Sequence, residues 1–411
     1  MSMLTPEQYL DRLRADLAPA LLPAETLAPA EAVGRVLAAD VAAALPVPPF
    51  TNATMDGFAV RAADLAGAGP WTVPVTGDLA AGDVAASAGP GRAVRVMTGA
   101  PLPAGADAVV RVEDTDARHD AARAPAAVTI RVPATPGMNV RRRGEDTAAG
   151  TTVMHAGERV DALTPASLAA VGVARVPVRR RPRLAVVSTG AELVGVGEAV
   201  GPARVPDSDA LIVEALARAA GAEVGSAARV GDEPRDLLDA LVRAAAGADL
   251  VVTTGGISMG ARDVVRQVGA DHGFGFATVA MRPGKPQGYG AVEVGGRRVG
   301  VLALPGNPVA VAVSFTVFGV PLLRDMFGEE APQPCWALAG TGWRSPAGRR
   351  EYLPGALRLT ASGATVTPIH PLGSASHLVA SLHRADVLAV VPAGTDEVRP
   401  GDLLEVLPLP Q

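Results

Sequence analysis

Along the chain, apolar and polar positions change rhythm in a way that divides it. After Thr5-Pro6-Glu7-Gln8, which has the form of an N-cap, a first-turn proline and a capping-box glutamine, Leu10, Leu13 and Leu17 fall on one helical face. A second helical stretch is expected over Ala30–Ala43. Short alternating runs at Trp71–Val75, Ala93–Met97, Ala108–Val112 and Ala127–Val132 then lie between Gly, Pro and Asp clusters and predict a small β-rich domain. Thr164–Val173 reads as a helix ended by Gly172. From Leu184 apolar β-branched runs alternate with helical patterns. Strand Leu184–Ser188 precedes helix Asp209–Gly221, capped by Asp207 or Ser208; strand Glu223–Val230 precedes a helix from Glu233, capped by Asp232 with Pro234 in its first turn. Further strands are expected at Leu250, near Phe276–Met281 and at Arg298–Leu304, with helices after Asp263 and over Val309–Phe327. That alternation predicts a mostly parallel sheet between two helical layers. Past Pro334 short alternating segments return, as in a small β-barrel-like domain.

Chemistry concentrates in Leu250–Val265. An apolar strand passes through Gly255, Gly256, Ile257, Ser258 and Gly260 into a helical pattern, and such a strand-loop-helix presents backbone N–H groups to an anion. Asp263 just beyond the loop makes sense if a divalent cation lies between carboxylate and phosphate. An ordinary βα turn has the same outline. In parallel sheets, however, ligands bind at the carboxyl ends of the strands, where five loops should gather: Thr189–Leu193, Val230–Pro234, Thr254–Asp263, Met281–Lys285 and Pro305–Pro308. They carry Glu192, Asp232 and Asp263, the bases Arg282 and Lys285, and polar Ser188, Thr189, Ser258 and Asn307. A phosphorylated ligand with a divalent metal uses all three kinds.

Composition narrows the partners. At 411 residues the chain needs several cores, and 48% hydrophobic residues can build them. The formal charge of −5, with no basic block interleaved with aromatics, argues against nucleic-acid binding. One cysteine, Cys335, excludes an internal disulfide and any multi-cysteine metal site. A charged start and the lack of an uninterrupted apolar run of about 18 residues point to a cytoplasmic chain with no membrane segment. The six histidines are dispersed and compose no serine–histidine pair, so an attacking water or substrate oxygen is more economical than a protein nucleophile.

Elsewhere, Asp56-Gly57 is a turn device or part of a site, and Thr98 offers a hydroxyl to a ligand or closes its strand. Arg141-Arg142-Arg143 facing Glu145 and Asp146 is a solvated network or an anion clamp. Arg179-Arg180-Arg181-Pro182-Arg183 is expected as a solvated boundary.

The segments Ala53–Ala59, Met97–Ala100, Arg143–Asp146, Ser188–Leu193, Gly255–Gly260, Arg282–Pro286 and Leu304–Pro308, in that order, resemble the motif set of molybdopterin molybdenumtransferases, the molybdenum insertases related to the E domain of gephyrin. Each motif alone is weak; the ordered set spans essentially the whole chain. The resemblance implies four domains: residues 1–45 with 137–178, 46–136, 179–330 and 331–411. It implies molybdenum insertion from molybdate into adenylylated molybdopterin with magnesium-dependent release of AMP, by a homodimer whose cleft is shared between subunits. A molybdopterin adenylyltransferase and cofactor-free molybdenum enzymes are the partners it suggests. Carried over by motif, Glu192 and Asp263 handle magnesium and phosphates, with Asp232 beside them, while Asp56 and Thr98 reach in from the partner subunit. Ser188, Thr189, Gly255, Gly256, Gly260, Arg282, Lys285, Pro305, Asn307 and Pro308 line the substrate pocket, with Ser258 contacting molybdate or phosphate.

The chain departs from the family pattern at Ala53, Ala261, Asp209 and Thr278, where serine, an acid, asparagine and lysine are common. Three rivals stand beside this reading. A molybdopterin adenylyltransferase resembles only the central domain. A dinucleotide-dependent oxidoreductase needs G-x-G-x-x-G, which this loop lacks. A non-catalytic molybdopterin-binding scaffold is opposed by the retained acids.

Overall fold

The computed structural model describes residues 3–84, 87–258, 263–361 and 363–410. Its centre is a six-stranded sheet in the order Glu223–Val230, Arg183–Thr189, Leu250–Thr254, Arg297–Leu304, Pro286–Val294, Gly275–Thr278. The first four strands are parallel, and Pro286–Val294 runs antiparallel to both its neighbours. Successive side chains on a strand point to opposite faces. Leu184, Val186, Leu250, Val252, Leu302 and Leu304 therefore join one core, and Ala185, Val187, Val251, Val301 and Ala303 another. Helices cover both: Pro6–Leu17, Asp209–Ala219 and the long helix from Pro308 on the first face, Pro234–Gly247 and Val264–Asp271 on the second. Burial of both faces is why these strands read as unbroken apolar runs.

The expected helix Val309–Phe327 is continuous from Pro308 to Phe327 but widens into a π-turn at Phe315–Gly319. By length and hydropathy it could cross a bilayer, yet 78% of its apolar window is buried inside the structure, as in the core helix of a packed domain.

Two smaller β units flank the sheet. Gly57–Val60, Ala93–Val96, Trp71–Leu79, Ala108–Arg111 and Ala127–Ile130 make a five-stranded sheet around Phe58, Val110 and Ile130. At the far end Arg350–Thr360, Gly363–Pro368, Cys335–Ala339, Leu403–Pro408 and Val387–Val391 close on themselves, because Arg350–Thr360 pairs with both second and last members. This is the small barrel expected from the tail. Met281–Arg282 adds a parallel pairing to it, tying the barrel to the central domain.

Several sequence expectations are corrected here. No helix forms over Ala30–Ala43: Gly34 turns the chain at φ +78°, and the amides of Leu37 and Ala38 bond the carbonyls of Glu158 and Pro177. Neighbouring chain satisfied these groups better than a helix did. Helix Pro6–Leu17 packs on the central sheet instead of with residues 137–178, its Tyr9 ring meeting Phe318 edge-on at 4.9 Å. The helix after Asp232 begins at Pro234 with Glu233 as N-cap, so Asp232 is not its cap. Of the two caps expected for the helix at Asp209, it is Asp207 whose carboxylate accepts the Ala210 N–H, at 3.2 Å. The arginine run is not a solvated boundary: Arg180 bonds both oxygens of Asp249 at 2.9 and 3.0 Å, the same carboxylate accepts the Arg183 N–H at 2.7 Å, and Arg179 reaches the Leu22 carbonyl. Asp249 thereby fixes where the first central strand starts.

Because the Asp249 side chain is only 14% exposed, Asp249→Ala should lower unfolding free energy by about 1–3 kcal/mol, removing both carboxylate bonds to Arg180, which keeps only the Arg181 carbonyl, and leaving the Arg183 amide unpaired. Asp120→Ala, which breaks a pair 80% and 72% exposed with Arg118, should leave stability within error. Urea unfolding of both variants checks this; equal effects would contradict it.

Candidate active site

Where the parallel strands end, their loops enclose a cavity of about 500 Å³. Thr189 to Leu193 supplies one wall, Asp232 a second, Thr254 to Ser258 with Asp263 the floor, and Pro305 to Asn307 the side toward the reversed strand. Loops meet here because each follows a strand held in register with the next, with Ser188 opposite Thr254 and Thr254 opposite Leu304. Thr189 Oγ1 donates to the Thr254 carbonyl at 3.2 Å, and the Gly255 N–H to the Leu304 carbonyl at 3.2 Å.

The floor needs its glycines. Gly255 and Gly256 have φ +83° and +68°, and a Cβ on Gly255 would lie 2.6 Å from the Thr189 carbonyl oxygen. A Cβ on Gly306 would lie 2.9 Å from the Gly255 Cα. Backbone therefore packs on backbone, and no side chain separates a bound group from the loop amides.

The charge is one-sided. Glu192, Asp209, Asp232 and Asp263 line the cavity, and no lysine, arginine or histidine does so among the described residues. Asp209 stands at the first turn of helix Asp209–Ala219 with 8% exposure, and its Oδ1 has no hydrogen-bond partner. Burial, and then the neighbouring Asp207 charge, push its carboxyl up to about 7. Among the described residues no three His, Cys, Asp or Glu side chains form a ready metal cage.

Of the residues expected from sequence, the structure brings together Thr189, Glu192, Asp232, Gly255, Gly256, Ser258, Asp263, Pro305 and Asn307. Gly260, like Ala261, lies outside the described residues. Ser188 is corrected: it is fully buried within its strand, one residue short of the cavity. Arg282, Lys285 and Pro308 do not line the cavity either. Arg282 is drawn into pairing with the barrel strand beside Glu351, and Pro308 occupies the first helical position. From that segment it is Pro286 that reaches the wall. Pro286 was missed, and Asp209, noted only as a departure from the family's asparagine, was not counted among the site residues.

Asp56 and Thr98 sit away from this cavity, in the five-stranded β unit. Asp56 Oδ1 accepts the Thr98 N–H at 2.6 Å and the Thr98 hydroxyl at 2.8 Å. Those two bonds hold the Asp56 carboxyl below its ordinary range, so it is charged at neutral pH. A shallow recess beside it is lined by Arg95 and His119.

Comparison with known proteins agrees with this architecture. Family models match in series: MoeA N-terminal region (domain I and II) over residues 4–172, a probable molybdopterin binding domain over 185–325, and MoeA C-terminal region (domain IV) over 337–409. Molybdopterin molybdenumtransferase 2 of Mycobacterium tuberculosis (strain ATCC 25618 / H37Rv) is 40% identical over 392 residues, covering 92% of this chain and 93% of the relative. The molybdopterin molybdenumtransferase of Haemophilus influenzae is 30% identical, with 92% of each chain covered. A crystal structure of the molybdopterin biosynthesis MoeA protein from Pyrococcus horikoshii OT3 superposes with a TM-score of 0.82 at 25% identity, covering 98% of this chain and 99% of that one. A cavity built of strand-end loops and acids, in a chain similar end to end to these proteins, leads to one conclusion: the chain belongs to the molybdopterin molybdenumtransferases, enzymes of molybdenum cofactor biosynthesis.

Proposed function

We propose that the strand-end cavity takes adenylylated molybdopterin and molybdate, and that molybdenum insertion is accompanied by cleavage of the phosphoanhydride and release of AMP. The observation that carries this is the pairing of a glycine floor, suited to phosphate, with four acids and no described cation on the wall. An anion enters such a cavity only if something neutralises the carboxylates. The donor set fits magnesium, which binds through one or two carboxylates together with substrate phosphates and water, and so needs no closed protein cage. Glu192 and Asp263, on opposite loops, are the residues to hold it; when bound, it supplies neutralisation of the charge on the departing phosphate. The amides of Gly255 to Ser258 hold the phosphate oxygens, and the Pro305–Asn307 loop bounds the organic part. A water, or a molybdate oxygen whose bond to phosphorus water then cleaves, attacks the molybdopterin-side phosphorus; the anhydride P–O bond breaks, AMP leaves as the anion, and the water's proton passes to solvent. Catalysis rests on positioning and charge, with no protein nucleophile.

Asp56 and Thr98 act from the partner subunit of a homodimer in this proposal. Their distance from the cavity of their own chain, and the fixed charge of Asp56, support it.

Purified protein should release AMP from adenylylated molybdopterin only with both magnesium and molybdate present; ligand binding without AMP release under any condition would contradict the proposal and favour a scaffold. Glu192→Gln and Asp263→Asn should each slow that release by at least about 100-fold, the scale of losing one electrostatic stabiliser. Asp263 holds the N-cap position of helix Val264–Asp271, where asparagine is equally favoured, so Asp263→Asn should melt at the wild-type temperature.

Mixing Asp56→Ala and Asp263→Asn subunits tests the shared cleft. Random re-association should restore roughly a quarter of wild-type activity, because half the dimers then carry one intact site of two. No recovery would place Asp56 outside the partner's cleft.

A further inference from the structure

We propose that Asp209 acts as a neutral carboxylic acid that donates a hydrogen bond to an anionic oxygen of the bound ligand. This rests on the cavity being the phosphate-binding site, and gives a recognition role to a position where the chain departs from the family's asparagine.

Two carboxylates compete for one helix start. Asp207 Oδ1 takes the N–H of Ala210 at 3.2 Å, and no hydrogen bond reaches Asp209 Oδ1. Asp209 is 8% exposed, lines the cavity, and keeps an Oδ1 with no partner. Ionising such a group costs the desolvation of a charge with nothing to compensate it, beside the like charge of Asp207. Nor do the elements packed on this helix relieve it. The strands Arg183–Thr189 and Leu250–Thr254 and the helix from Pro308 bring Thr189, Thr254 and Asn307 to the cavity, all uncharged. On the remaining neighbour, Glu223–Val230, Arg229 is engaged by Glu198 at 3.4 Å and Glu223 faces Arg183 at 3.9 Å. Glu192, Asp232 and Asp263 line the same cavity and bring no cation to it.

A neutral carboxyl has an O–H to donate, whereas a carboxylate only accepts. Facing a phosphate oxygen, the proton replaces a repulsion with a hydrogen bond. A ligand that requires the protonated form binds with an apparent affinity scaled by the fraction protonated. For a group titrating at about 7, that fraction falls roughly tenfold between pH 6 and pH 8. The sign follows from a raised acid: binding is strong below the folded-state value and is lost as pH rises through it.

The test is calorimetric titration of the full-length protein with adenylylated molybdopterin at pH 6 and pH 8, with the same saturating magnesium at both and no molybdate, so that the ligand binds without turnover. Wild-type protein should bind roughly tenfold more weakly at pH 8, and Asp209→Asn, whose amide donates without titrating, should bind equally at both. Asp209→Ser offers a second non-titrating donor should the asparagine variant fail to fold. Equal pH dependence in wild type and variants, or wild-type affinity that is flat or rises with pH, overturns the inference while leaving the phosphate site standing. No binding by the wild-type protein at either pH overturns both.

Discussion

Negative charge confined in a cavity that receives an anion is the tension around which this molecule is arranged. Four acids face one another across about 500 Å³, and a phosphate brought among them is repelled unless a cation or a proton intervenes. Loop amides alone do not offset that repulsion, because each contributes only a partial charge. In the proposed reaction a divalent cation at Glu192 and Asp263 intervenes, and, at Asp209, a carboxyl that has already given up its charge. One site handles its charge in both ways.

What holds the acids in place is the two-faced burial of the central sheet. Alternate side chains of Leu184–Val187, Leu250–Val252 and Val301–Leu304 enter opposite cores, so a slip of one residue in any strand would exchange the faces. Register is thus locked, and the strand ends, with their glycine turns, are locked with it. The contact of Gly306 with the Gly255 backbone is the local result. Asp249 serves the opposite end of the sheet, receiving Arg180 and the Arg183 amide where the domain begins.

Much of this was legible in the sequence because it is local. The capping box at Thr5, the strand Glu223–Val230, the glycine loop after Leu250 and the acids at 192, 232 and 263 follow from spacing and residue type, and the structure gathers those acids as expected. What was not legible depends on distant partners. Ala30–Ala43 has helical composition, but its backbone bonds to residues 158 and 177. Arg180 looked solvated because Asp249 lies 69 positions away. Strand Pro286–Val294, with glycines at 288 and 290, has weak alternation, yet it pairs on both sides. Arg282 and Lys285 were assigned to the pocket by motif, whereas Arg282 pairs with the barrel strand and it is Pro286 of that segment that lines the cavity. For Asp209 the sequence gives an acid at a helix start where the family pattern has asparagine; its burial, and an Oδ1 that no donor reaches, exist only in the folded chain.

The most direct test of the central claim, that this cavity joins carboxylates to a phosphoanhydride through a divalent cation, is a crystal structure with adenylylated molybdopterin and manganese in place of magnesium. The account predicts phosphate density over the Gly255–Ser258 loop and an anomalous manganese peak within coordinating distance of Glu192 or Asp263. A ligand seated elsewhere, or manganese bound away from both carboxylates, would contradict it.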